Sequence, residues 1–147
     1  MIDAYDVNDI EEMKISDKAR NKSRLQELID FAKLSGFRKI GVANCKAVQS
    51  YADKLVEILK NAGFEVFAMS CKESGLQACE ISPELKGPSC DPVSQAEYLN
   101  AQGTDLNIDV GLCLGHGLIF QKHSKAMVTT FLVKDFATQH KTVENLL

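Results

Sequence analysis

Apolar positions change period along this chain, and each change marks out an element. Residues 1–15 are acidic and weakly periodic, so they read as an N-terminal arm. From Ser16 and Asp17, which suit a helix cap, Leu25, Leu28, Ile29, Ala32 and Leu34 recur at helical spacing until Gly36 ends the run. Lys39 to Asn44 reads as a short apolar strand, and Gln49 to about Asn61 as a helix stopped by Gly63. Phe64 to Ser70 is β-rich again. Strand, helix and strand within roughly 30 residues predict a parallel, right-handed crossover.

Between Lys72 and Pro92 the period lapses among prolines and glycines. Long irregular connections of this sort more often serve a site than mere linkage. Asp91 and Pro92 suit the cap and first residue of a helix running to about Gln102. Leu106 to Leu112 reads as a third strand, Leu118 to His123 as a short helix and Met127 to Val133 as a fourth strand, with a helix expected to close the chain. The pattern predicts one three-layer α/β domain over residues 16–147, with a mostly parallel sheet of about four strands. The order 2-1-3-4, as in flavodoxin-like and Rossmann-like folds, is expected.

Composition narrows the partners. The 147 residues carry a formal net charge of -3, which supplies no basic field for nucleic acid or an anionic membrane. No apolar run approaches the roughly 20 residues of a membrane span, and the N-terminus lacks a signal peptide's basic start and apolar stretch. A cytoplasmic protein is expected. Its five cysteines are an odd number, which favours free thiols or ligands over a disulfide framework.

Placed on the predicted strands, the cysteines sort themselves. Cys45, Cys71 and Cys113 each follow a strand, and in an open parallel sheet those ends share one edge, where ligands bind. Neighbouring strands lie about 4.8 Å apart, so their sulfurs can approach as a tetrahedral site with metal–sulfur bonds of about 2.3 Å requires. Cys90 precedes a helix N-terminus, whose dipole is expected to favour the thiolate. His116 leaves the same strand end as Cys113 and offers an imidazole. Four thiolates, or three with His116, would hold zinc or an iron–sulfur cluster. Free cysteine also packs as a small hydrophobe, and Cys79, at no strand end, is assigned to packing or surface. His123 reads as solvated, and His140 either reaches back over the edge or lies on a terminal helix surface.

The motifs Lys39-Ile40-Gly41 with Cys45, Gly63-Phe64-Glu65-Val66 with Cys71-Lys72, Cys90-Asp91-Pro92, Gly111-Leu112-Cys113 with Gly115-His116, and Val133-Lys134-Asp135 with His140 carry a family resemblance. From about residue 27 onward the chain resembles a family of uncharacterised prokaryotic proteins, domain of unknown function 1847, described as predicted to bind metal. The resemblance covers Cys45, Cys71, Cys90, Cys113 and His116 but not Cys79, and implies metal binding without a reaction. Gly117 stands where that family usually has aspartate, Phe136 where it has arginine, and the cysteine-rich N-terminal segment of many members is absent.

Two other functions compete. Cys113 or Cys90 could be the nucleophile of an enzyme, with His116 as base and Asp135 as orienting group or general base. Alternatively, the sheet edge could bind a small ligand, an anion, while its thiols sense oxidation.

Overall fold

The computed structural model describes residues 2–147, and the chain divides into two compact units, one ending at Arg38 and the other running from Lys39 to Leu147. The first holds α1 (Val7–Ala19) and α2 (Arg24–Leu34). Where an arm was expected, α1 forms behind a reciprocal cap: Asp6 accepts the Asp9 N–H while Asp9 accepts that of Asp6. The helix predicted from Ser16 is really two. Asn21 turns into the left-handed region at φ 67°, and Ser23 caps α2 by accepting the Gln26 N–H.

The second unit is the parallel α/β body. Its strands are β1 (Lys39–Asn44), β2 (Glu65–Ser70), β3 (Leu106–Val110) and β4 (Val128–Leu132), and its helices α3 (Gln49–Asn61), α4 (Pro92–Gln102) and α5 (Leu114–His123). The order is β2-β1-β3-β4 and every pairing is parallel, as the crossover pattern predicted. From β1 the chain moves first to one side, to β2, then back past β1 to β3. That reversal puts α3 on one face and α4 with α5 on the other, giving three layers.

Alternation along the strands feeds both faces. Gly41 and Ala43 look toward α4, where Ala96, Leu99, Leu112 and Phe120 close a core. Burial of a side chain such as Leu99 or Phe120 stabilises the fold by about 1.5–3 kcal/mol. Ile40, Val42, Ile108 and Val110 alternate to the face that α3 covers with Ala52, Leu55 and Leu59. Only glycine fits at position 41: a Cβ there would lie 2.1 Å from Asn107 Oδ1 and 2.8 Å from Leu99 Cδ1. Buried Asn107 is held in turn by Thr104 and Ser124 at 2.6 and 2.7 Å.

Two expectations in this unit fail. The helix after β3 begins at Leu114 rather than Leu118, because Gly111 (φ 69°) turns the chain at once. No α-helix closes the chain; Thr142–Leu146 makes only a 3-10 turn, whose Val143 and Leu146 stay exposed and bury nothing that would hold a longer helix.

Candidate functional site: a rim of four thiols and a lysine

The carboxyl ends of β1, β2 and β3 form one edge, and backbone hydrogen bonds carry the sheet one step past the strands. The Cys45 N–H donates to the Val110 carbonyl at 3.1 Å, and the Cys71 N–H to that of Asn44 at 2.9 Å. These bonds fix Cys45 and Cys71 side by side. Beneath them the Gln95 side chain of α4 donates to the Asn44 and Met69 carbonyls at 3.2 and 2.8 Å, tying α4 to the ends of β1 and β2.

The long connection after β2 returns to this edge. A bridge between Gln77 and Pro88, with Ala78 N–H to Gly87 O at 2.8 Å, folds it back on itself. The Asp91 N–H then donates to the Cys71 carbonyl at 2.7 Å, setting Cys90 beside Cys71. Cys113 precedes the first turn of α5 at the point where strand order reverses.

Lys134, just past β4, completes the group. Its ammonium donates to Sγ of Cys45 at 3.1 Å and to Sγ of Cys113 at 3.0 Å. The Lys46 N–H donates to Cys71 Sγ at 3.3 Å. Lys134 thus joins Cys45 to Cys113, while the backbone bonds set Cys71 beside Cys45 and Cys90 beside Cys71. Cys45 and Cys71 are buried, whereas Cys90 and Cys113 are partly open.

The electrostatics divide the thiols. Burial pushes Cys45 up, but the Ala47 N–H, the Lys134 ammonium and Cys71 together outweigh it, so its pKa falls. For Lys134, burial disfavours the charge, yet the bonds to Cys113 and Cys45 prevail and raise its pKa. Cys90 goes the other way. Burial first, then the hydrogen bond to Cys71 and its charge, push that thiol up to about 11. The helix dipole expected to lower it is overridden, since Asp91 itself caps α4 by accepting the Ser94 N–H and Cys90 lies outside the helix.

His116 occupies the first turn of α5, partly buried, and no hydrogen bond joins it to a thiol or to Asp135 among the described residues. Asp135 instead accepts the Ala137 N–H and the Asn145 amide, and its own N–H donates to His140 Nδ1 at 2.9 Å. The Cys–His–Asp relay proposed from sequence is therefore not assembled. Cys79 is exposed on the long connection, and His123 is exposed at the end of α5. In the sequence Lys134 stands just past the fourth predicted strand, with no signal of its partners. Gln95 it missed, although a glutamine in the first turn of a predicted buried helix was a signal.

Among the described residues, no three His, Cys, Asp or Glu side chains already stand as a group that could hold a metal ion. None of the helices among the described residues is long and apolar enough to cross a membrane.

Fold and rim define a parallel α/β protein with a thiol-bearing carboxyl edge. The chain belongs to the family described as protein of unknown function (DUF1847), whose model matches residues 5–131. An uncharacterized protein of Methanocaldococcus jannaschii is 46% identical over 126 residues, a match covering 82% of this chain and 65% of that relative. The chain thus spans just under two-thirds of the relative's length.

Proposed function

We propose that the protein binds a soft metal, as a zinc ion or an iron–sulfur cluster, through Cys45, Cys71, Cys90 and Cys113. The supporting observation is that N–H groups are aimed at sulfur. Lys46 donates to Cys71, and Lys134 to both Cys45 and Cys113. A neutral thiol is a weak acceptor, so this set of donors suits sulfurs that carry negative charge, the form a metal takes. Four thiolates around a divalent ion leave about two negative charges, and Lys134 offsets one of them. Convergence requires rotation of cysteine side chains about Cα–Cβ, while the backbone anchors stay in place. His116, one turn into α5, is a reserve ligand rather than part of this set. Free thiols that must remain reduced fit a cytoplasmic setting.

The test is elemental analysis and absorption spectroscopy of protein purified without oxygen. Stoichiometric zinc, or iron with sulfide and a visible chromophore, is expected, with loss in each single Cys→Ser variant of the four but not in Cys79→Ser. Metal-free protein with four readily titrated thiols refutes the proposal.

A second reading, thiol redox sensing without metal, has one observation in its favour: the lowered pKa of Cys45 beside its neighbour Cys71. Peroxide would then link Cys45 to Cys71, and a mass spectrum showing both thiols free after oxidation would dismiss it.

A further inference from the structure

We infer that the cleft between α5 and β4 is a binding site for a small, uncharged, largely apolar molecule carrying one hydrogen-bonding group, which the Asp109 carboxyl receives. The inference does not rest on the metal reading, because Asp109 is none of the proposed ligands, although Cys113 and Lys134 line both the rim and the cleft.

The cleft has a volume of about 570 Å³, within the range of roughly 300–1,000 Å³ usual for small-molecule sites. Its wall is mainly apolar, with Leu112 and Leu118 on one side and Val128 and Leu132 on the other. At one end it opens onto Cys113 and Lys134. Polar groups inside are few, as orientation of a ligand requires.

Asp109 is the unusual feature. It is a carboxyl in the middle of a strand whose neighbours Leu106, Asn107, Ile108 and Val110 are all buried. Oδ1 accepts the Leu112 N–H at 3.0 Å, while Oδ2 has no hydrogen bond within the chain among the described residues. Gly117 keeps that oxygen uncovered: a Cβ at 117 would stand 2.8 Å from Oδ2. Burial raises the Asp109 pKa despite the Leu112 bond, so the site tolerates the protonated form, which can donate as well as accept. An anionic guest is disfavoured, because the wall is apolar, Asp109 offers a carboxyl and Lys134 is already engaged by two sulfurs.

The apolar residues at the mouth are exposed, Leu118 at 61% and Phe136 at 72%. Such residues can also serve protein contacts. The recessed carboxyl favours a small molecule, since a flat partner surface would not reach it.

The test uses the full chain and the uncharged probe N-phenyl-1-naphthylamine, followed by fluorescence. Saturable binding is expected, weakened at least tenfold by Leu118→Glu at the mouth and by Thr130→Trp within the cleft. Leu85→Glu, on the distant connection, should bind as the parent does. Circular dichroism and metal content are measured on each variant, so a loss of fold or of metal is distinguished from a loss of the cleft. Absence of saturable binding, or binding unchanged in both cleft variants when they are folded, overturns the inference. So does probe binding that appears only with a dimer in size-exclusion chromatography, which would make this face a contact between copies.

Discussion

Replacing Lys134 by methionine removes the ammonium that joins Cys45 to Cys113 while keeping most of the side chain's apolar length. Cys45 is 7% exposed, so its bond to Lys134 at 3.1 Å is little screened by water. A hydrogen bond to a charged group contributes about 1.5–3 kcal/mol. Losing it disfavours the Cys45 thiolate relative to the thiol by roughly tenfold to a hundredfold, since 1.36 kcal/mol is one decade. A more basic thiolate is also a better nucleophile, and a Brønsted coefficient of about 0.4–0.5 returns near half of that loss on the logarithmic scale. Alkylation of Cys45 in metal-free protein, followed at pH values where the parent thiol is still mostly protonated, should therefore slow by about threefold to tenfold in Lys134→Met. Lys134→Arg should retain much of the parent rate. The assay is iodoacetamide labelling with site-resolved mass spectrometry, and Cys79, exposed and remote from Lys134, is the internal reference. A Cys45 rate unchanged in Lys134→Met, with Cys79 also unchanged, would show that Lys134 does not hold the sulfur charged.

Two further predictions address packing and pH. Gly41→Ala drives a methyl against Asn107 and Leu99. It should lower stability by about 1–3 kcal/mol or more in urea unfolding, and an unchanged midpoint would contradict the close packing of α4 on β1. Asp109→Asn keeps an acceptor for the Leu112 N–H without a buried charge. Because the folded pKa of Asp109 is raised, its favourable contribution is full below the ordinary carboxyl range and disappears as pH rises through the folded value. The variant should thus gain in Tm relative to the parent near neutral pH and lose that gain in acid; a gain that does not depend on pH would contradict it.

Much of the body was legible because local signals agreed with the tertiary outcome. Asp91 and Pro92 marked the start of α4, and Lys39–Asn44 and Gln49–Asn61 fell where apolar runs and Gly63 placed them. Strand ends, in turn, foretold that Cys45, Cys71 and Cys113 would share an edge. The start of the chain was less legible, since α1 carries no apolar stripe and its formation rests on the Asp6–Asp9 cap. The site's electrostatics were illegible for a different reason. Lys134 meets Cys45 across 89 positions of sequence, and the order of the strands, not any motif, brings them together. Cys90 was read from the dipole of its helix, whereas burial and Cys71 govern it.

X-ray absorption at the metal edge of anaerobically purified protein tests the central proposal most directly. Four sulfur neighbours are expected, at about 2.3 Å for zinc, with the metal signal lost in Cys113→Ser. A first shell of nitrogen and oxygen, or a spectrum indifferent to substitution of Cys45, Cys71, Cys90 and Cys113, would contradict the account.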